Sequence, residues 1–163
     1  MSASNSGSGA RANLGERELV MTRVFDRPRE IVFKAWTDPK RVAEWWAPQR
    51  FTTPVCEVDA RPGGAIRIHM RGPDGTVYPM RGAYREVVAP ERLVFTSLVV
   101  DDDDNPMLDG LTSVAFEDEA GKTKLTLQAR AVAVVAPAVM YLDGMEAGWT
   151  GSLDRLAEEL AKP

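Results

Sequence analysis

Hydrophobic positions recur at two different spacings along this chain, and the changes of spacing divide it into segments. From Asp26 to Pro48 they return every three or four residues, which is typical of helices. From about Thr53 to Val132 they alternate with polar residues, which is typical of half-buried strands. From about Pro137 to Ala161 the helical spacing returns. The pattern predicts helices, then strands, then a helix, with one further strand over Glu18–Phe25.

Two prolines divide the first helical segment into a pair of short helices. Pro28 and Pro39 stand where a helix can begin, because the first turn leaves the missing N–H of proline unused. Asp38 is a suitable N-cap for the second helix. The apolar stripes of the two helices contain Ile31, Val32, Ala35 and Trp36, and then Val42, Trp45 and Trp46.

Turn signals separate the strands of the central segment. Runs rich in proline, glycine and acidic residues occur at 62–64, 72–75, 89–91 and 119–121. Their spacing predicts an antiparallel meander. Together with the first strand this makes seven predicted strands, at Glu18–Phe25, Thr53–Ala60, Ala65–Arg71, Thr76–Val88, Arg92–Val100, Leu111–Glu117 and Lys122–Val132.

The last segment predicts one long helix with a broad stripe, which contains Leu142, Met145, Glu146, Trp149, Leu153, Leu156 and Leu160. The order of elements favours an α+β helix-grip fold, in which a curved antiparallel seven-stranded sheet wraps around the C-terminal helix. Two short helices lie between the first and second strands. Residues 1–15 are expected to be a flexible tail, and residues 16–163 a single domain.

The composition of the chain argues against several classes of binding partner and cellular environment. The net charge of −4 and the absence of a sustained basic stripe argue against nucleic acid. Cys56 is the only cysteine, which excludes an internal disulfide and is typical of a reducing compartment. No apolar run approaches the roughly 20 residues that span a bilayer. We expect a cytoplasmic protein without membrane insertion; a homodimer through a strand face or edge stays open.

Several strings that look like catalytic or metal-binding motifs do not fulfil their requirements. Gly121-Lys-Thr resembles the end of a phosphate loop, but Phe116 stands where the first glycine is needed. Asp101 begins a calcium-loop-like spacing, but Pro106 replaces the required glycine. His69 is the sole histidine and shares a strand face with two arginines, as a surface residue would. We predict no bound metal and no cofactor.

A set of short motifs is shared with a known family; these are Arg23-Val-Phe-Asp-Arg-Pro28, Ala35-Trp-Thr-Asp-Pro39, Glu44-Trp-Trp-Ala-Pro48, Arg61-Pro-Gly-Gly64, Met70-Arg-Gly-Pro-Asp-Gly75, Phe116-Glu-Asp118, Gly121-Lys-Thr-Lys-Leu-Thr126, and Gly148-Trp149 followed by Leu153-Asp-Arg-Leu156. Over residues 17–161 the chain resembles the START-like or Bet v 1-like proteins, and among them the C-terminal domain of the activator of Hsp90 ATPase. The resemblance implies an apolar cavity between sheet and long helix that holds a small hydrophobic or amphipathic ligand, and it implies a role in the stress response.

Strand parity and helix position together predict which residues line that cavity, since alternate side chains point to opposite faces of a strand. The predicted lining consists of Trp46, Ile68, Met70, Met80, Tyr84, Phe95, Met145, Glu146, Trp149 and Leu153. Glu146, Tyr84 and Ser97 are the polar groups that can orient a ligand. Simple core packing is the alternative role for the tryptophans and Met145. Gly82 either allows the sheet to bend or leaves room for a ligand.

Three functions stay open at this point. The first is a ligand-binding module that is not an enzyme. The second is an enzyme of the cyclase or dehydratase kind, in which Glu146 and Tyr84 transfer protons. The third is a module that binds an Hsp90-type chaperone.

Overall fold

The computed structural model describes residues 11–162, so residues 1–10 of the predicted tail lie outside the described residues. The strands are β1 (Gly15–Phe25), β2 (Thr52–Val58), β3 (Ala65–Arg71), β4 (Val77–Val88), β5 (Arg92–Val100), β6 (Pro106–Glu119) and β7 (Lys122–Ala133). The helices are α1 (Arg29–Thr37), α2 (Pro39–Trp45), α3 (Val139–Asp143) and α4 (Met145–Ala161), and a short 3₁₀ turn (Ala136–Ala138) precedes α3. The strands form one antiparallel sheet in the order β1-β7-β6-β5-β4-β3-β2. This confirms the predicted α+β helix-grip fold.

Helix α2 is capped as the sequence predicts. The Asp38 carboxylate accepts a hydrogen bond from the backbone N–H of Lys40 at 3.1 Å, which is an N-cap interaction at the start of α2. The apolar stripe of α1 is centred differently from the prediction, because Ile31 is exposed and Phe33 is buried. Phe33 packs edge-on against Phe116 of β6, with ring centroids 5.2 Å apart. Packing against β6 therefore determines that the face of α1 that carries Phe33 is the buried one.

Several strands depart from the predicted pattern. β1 begins at Gly15, three residues before the predicted Glu18 and within the predicted tail, and β2 ends at Val58, two residues before the predicted Ala60. β6 begins at Pro106, five residues before the predicted Leu111, because Leu108 pairs with Val99 of β5 and with Ala133 of β7. In β4 the register shifts after Tyr84, which pairs with Phe95, whereas Glu86 pairs with Val94. Arg85 is the extra residue of this bulge.

The predicted single C-terminal helix is two helices. Gly144 separates α3 from α4, and the Gly144 carbonyl accepts the first hydrogen bond of α4 from the N–H of Gly148 at 2.9 Å. Helix α3 contacts β1 and β7, whereas α4 lies across the sheet with Leu153, Leu156 and Leu160 buried. One straight helix cannot follow both surfaces, and the low helix propensity of glycine makes Gly144 a suitable break.

The core lies between the inner face of the sheet, α4 and the helix pair. Its largest fully buried side chains include Trp45, Ile68, Leu93, Phe116, Leu125, Leu127, Leu153 and Leu156. The Trp45 indole N–H is satisfied inside this core by the Ala35 carbonyl at 2.9 Å. Within residues 11–162, no helix is both long and apolar enough to cross a membrane.

Candidate ligand-binding cleft

An apolar cleft of about 210 Å³ lies where the end of α2, the start of α4 and α3 meet the sheet. Its lining is Trp46, Pro48, Met70, Met80, Ser97, Val99, Leu108, Tyr141, Met145, Gly148, Trp149 and Ser152. None of these side chains is charged. Such a surface is suited to the body of an uncharged organic molecule, with a few hydroxyls to orient it.

Two tryptophans form one wall of the cleft. Trp46 caps the end of α2, and its ring lies 5.6 Å from that of Trp149 on α4 and 5.9 Å from that of Phe95 on β5. The Ser152 hydroxyl donates a hydrogen bond to the Trp46 carbonyl at 2.6 Å, and this bond ties α4 to the end of α2. The two helices therefore hold the indole pair in one arrangement.

Arg155 supports the segment that follows α2. Its guanidinium donates hydrogen bonds to the carbonyls of Glu44 and Ala47 at 2.7 Å, of Pro48 at 3.2 Å and of Phe51 at 3.3 Å. The last carbonyls of a helix have no partners within that helix, so Arg155 supplies donors to them. Sequence reasoning missed this residue, because its partners lie more than a hundred positions earlier in the chain.

A second, smaller void lies behind Trp46. This inner cavity, about 10 Å³, is lined by Trp36, Val42, Trp46, Val58, Ile66, Ile68, Tyr84, Leu93 and Phe95. Trp46 lines both the cleft and the inner cavity. The void has room for about one water-sized group.

Two residues that line the inner cavity, Trp36 and Tyr84, carry polar groups that can donate hydrogen bonds. Trp36 is 3% exposed, and its indole Nε1–H is the only buried side-chain N or O atom in the described part of the chain with no hydrogen-bond partner. Tyr84 is 4% exposed, and burial raises the pKa of its hydroxyl to about 12, with smaller contributions from Cys56 and Asp59. Unlike the Trp36 N–H, the Tyr84 hydroxyl is not a fully buried atom without a partner. Both groups are donors at neutral pH.

The raised pKa of Tyr84 predicts how stability changes at alkaline pH. Its folded-state pKa of about 12 exceeds the ordinary value of 10.0. This difference stabilises the fold fully below pH 10 and is lost as the pH rises through 12. We expect the free energy of unfolding to fall more steeply over this interval for the wild type than for Tyr84→Phe, measured by urea unfolding at each pH. Parallel pH profiles would contradict this expectation.

The structure distributes the predicted lining residues over three places. Five of them lie in the cleft, namely Trp46, Met70, Met80, Met145 and Trp149. Three lie in the inner cavity, namely Ile68, Tyr84 and Phe95. Leu153 is fully buried in the core and lines neither space. Ser97, which was predicted as an orienting group, also lines the cleft.

Glu146 lies outside both spaces. Its side chain is 65% exposed, and its carboxylate forms an ion pair with Arg17 of β1 at 3.2 Å. Tyr84 is buried in the inner cavity, so the structure does not bring the two residues into one site. The proposed proton-transfer pair has no geometric support.

Sequence reasoning missed several lining residues, among them Val99, Leu108, Tyr141 and Gly148. Val99 follows Ser97 on the same strand parity, and Gly148 is one helical turn from Met145, so the signals for these two were present. Leu108 was missed because β6 was expected to begin later. Tyr141 was missed because the turn between α3 and α4 sets its position.

Two further candidate groups lie away from the cleft lining. His69 is half-buried on β3. Cys56 is a free thiol on β2, and burial raises its pKa to about 11, with a smaller effect from the charge of Glu57. Among residues 11–162, no group of three or more His, Cys, Asp or Glu side chains is placed to hold a metal ion.

Comparison with known proteins identifies close relatives of this fold. The model of the activator of Hsp90 ATPase homolog 1-like protein family matches residues 26–161. A solved structure from Rhizobium leguminosarum is 27% identical, covering 90% of this chain and 95% of that one, with a TM-score of 0.79. A Chromobacterium violaceum protein is 28% identical, with coverages of 90% and 98% and a TM-score of 0.75. The AHSA1 protein of Silicibacter pomeroyi is 28% identical, with coverages of 89% and 98% and a TM-score of 0.74. No curated protein matches this chain.

Proposed function

The chain belongs to the activator of Hsp90 ATPase homolog 1-like family, and we propose that it binds a small, uncharged hydrophobic or amphipathic molecule in the cleft. The observation that carries this proposal is the lining itself, which combines two tryptophans, three methionines and two serines without a charged side chain. Tryptophan provides a large flat contact area, and methionine adapts to irregular shapes. Ser97 and Tyr141 supply the hydroxyls that can orient a ligand in this lining, since Ser152 already donates to Trp46.

The volume and polarity of the cleft set the expected affinity. A nine-carbon probe such as isopropylbenzene buries roughly 200 Å² of apolar surface, which contributes about 5 kcal/mol at 25 cal/mol per Å². That free energy corresponds to a dissociation constant of about 0.2 mM. The natural ligand will bind more tightly where it fills more of the cleft.

Gly148 offers a test of the cleft that preserves the helix. A Cβ placed at Gly148 meets nothing within 4 Å, because the position faces open space. Replacing glycine by leucine inside a helix favours folding by about 0.8 kcal/mol. Because Gly148 lines the cleft, the larger side chain is expected to take up part of the cleft volume. We expect Gly148→Leu to stay folded and to bind isopropylbenzene at least about tenfold more weakly than the wild type, measured by NMR titration.

The control is Ala147→Leu, which adds the same side chain at an exposed position of α4 that does not line the cleft. This variant should bind the probe as the wild type does. If Gly148→Leu kept full affinity, the cleft would not be the binding site. If the wild type bound no probe, the proposed function itself would fail.

A chaperone-interacting role is the second candidate, favoured by the family description and by the name of the Silicibacter pomeroyi relative. It predicts that the protein raises the ATPase rate of an Hsp90-type chaperone. Measuring that rate with and without an excess of this protein tests the role directly. An unchanged rate would exclude it.

The proposed site of action is the cytoplasm. The free thiol of Cys56 supports this proposal, because unpaired thiols persist most readily in a reducing compartment. Fractionation of the host cell, followed by detection of the protein, would test it.

A further inference from the structure

We infer that the molecule bound in the cleft carries a hydrogen-bond acceptor, such as a carbonyl oxygen, which enters the inner cavity and accepts hydrogen bonds from Trp36 and Tyr84. This inference rests on the proposed function and specifies the chemical class of its ligand. It predicts an uncharged molecule with an apolar body and an acceptor at one end.

The first supporting observation is the unsatisfied indole N–H of Trp36. Buried polar groups in folded proteins are almost always hydrogen-bonded, so an unpaired donor that is 97% shielded requires an explanation. The neighbouring Trp45 shows that the same helix pair can satisfy an indole, since its N–H reaches the Ala35 carbonyl. Trp36 instead lines the inner cavity. An acceptor that arrives with a ligand would complete its hydrogen bonding.

The second supporting observation is the polarity of the cavity walls. Apart from Trp36 and Tyr84, the inner cavity is lined by aliphatic side chains and by Trp46 and Phe95. The walls therefore supply donors and no charged acceptor. An ammonium group would find no carboxylate there, and a carboxylate would find no cation, whereas a neutral carbonyl oxygen would find two donors.

Trp46 connects the cleft to the inner cavity. Its side chain lines both spaces, and it is half-buried, whereas Trp36 and Trp45 are fully buried. A change in the Trp46 side-chain torsions would join the 10 Å³ void to the 210 Å³ cleft. In the combined space, the apolar ring of a ligand would lie in the cleft, and its acceptor oxygen would lie in the inner cavity behind the Trp46 indole.

Two probes of nearly equal shape test the acceptor. Acetophenone carries a carbonyl oxygen where isopropylbenzene carries a methyl group, and the dissociation constant of each is measured by NMR titration of the full chain. Acetophenone is the more polar probe, so its binding also reflects the cost of removing it from water. This cost is the same for every variant, and the quantity compared between the wild type and each variant is therefore the ratio of the two dissociation constants. Tyr84→Phe should reduce the preference for acetophenone by about fivefold, the effect of one hydrogen bond. Tyr78→Phe, which removes the hydroxyl of a tyrosine that lines neither the cleft nor the inner cavity, should leave the ratio unchanged.

The Trp36 indole proton gives an independent readout, assigned by comparison with the spectrum of Trp36→Phe. Acetophenone should move this resonance downfield, as expected for a newly formed hydrogen bond, and isopropylbenzene should not. If both probes bind but the resonance does not move and Tyr84→Phe leaves the ratio unchanged, the proposed function stands and this inference is wrong. A resonance already downfield in the free protein and unaffected by acetophenone would assign the donor to a bound water and overturn the inference. Failure of both probes to bind would reject both proposals.

Discussion

Replacing Arg155 by methionine is expected to reduce the free energy of unfolding by about 3 kcal/mol. Methionine replaces the unbranched apolar stem of arginine but lacks the guanidinium, so the substitution removes all four hydrogen bonds to the carbonyls in and after the last turn of α2. A hydrogen bond from a charged donor contributes about 1.5–3 kcal/mol. The bonds are not additive, and water can replace the one to the exposed Glu44, so the expected loss is well below the sum.

Urea unfolding of Arg155→Met measures this effect as a lower midpoint with an unchanged slope. Arg85→Met is the matched control, because Arg85 is exposed on the sheet and should change stability by less than about 0.5 kcal/mol. Arg155→Lys should recover only part of the loss, since an ammonium cannot reproduce the fork of a guanidinium. Equal midpoints for Arg155→Met and Arg85→Met would show that the carbonyls are satisfied by other donors.

The destabilised variant Arg155→Met should also bind isopropylbenzene more weakly, because Trp46 and Pro48 belong to the supported segment.

The second large effect is expected from Gly82→Ala, which should destabilise the protein by about 3 kcal/mol or prevent folding. A Cβ at Gly82 would lie 1.9 Å from the carbonyl oxygen of Thr96 and 2.7 Å from its carbonyl carbon. Both atoms belong to the backbone of β5, so no side-chain rotation relieves the clash. At this point the Thr96 hydroxyl also accepts a hydrogen bond from the N–H of Ala83 at 3.0 Å, which holds the two strands together.

Gly148→Ala is the control for the glycine-to-alanine change. Its Cβ enters open space within a helix, so this variant should be more stable than the wild type by about 0.5–1 kcal/mol. The comparison uses thermal unfolding, or soluble yield where Gly82→Ala does not fold. Similar melting temperatures for the two variants would show that β4 and β5 can separate at little cost. The geometry supports neither of the two roles that sequence reasoning gave to Gly82, a bend or room for a ligand, because glycine is required here by the close approach of the β5 backbone.

Sequence pattern was sufficient for the fold, because its signals are local. Pro28, Pro39 and Asp38 mark the starts of α1 and α2, and strict alternation located β3 at its observed bounds. The helix break at Gly144 was not predicted, because a single glycine within an apolar stripe does not indicate whether the helix ends there or continues. The start of β6 was missed for a similar reason, because the Pro, Asp and Gly between positions 106 and 110 have low strand propensity.

The site was only partly predictable, because it depends on contacts between distant segments. Parity placed Met70 and Met80 on the inner face of the sheet, where they line the cleft, but it could not separate the cleft from the inner cavity. The packing of Trp46 makes that division. Glu146 follows Met145 in sequence, yet it lies one helical step around α4, where Arg17 of β1 binds it. Periodicity alone does not tell which edge of a stripe faces an adjoining strand.

The tryptophan cluster has an optical consequence. All four tryptophans of the chain belong to it, and neighbouring ring centroids lie between 4.5 and 6.3 Å apart. At such separations the indoles exchange excitation energy, so the tryptophan fluorescence of the protein arises from one cluster, in which Trp36, Trp46 and Trp149 line the cleft or the inner cavity and Trp45 packs against Trp36 and Trp46. Tryptophan emission therefore reports on this one region. Local structural changes in β1 and β7, at the far edge of the sheet, should hardly alter it. Tryptophan emission therefore serves as an intrinsic probe of ligand binding, and no attached fluorophore is needed.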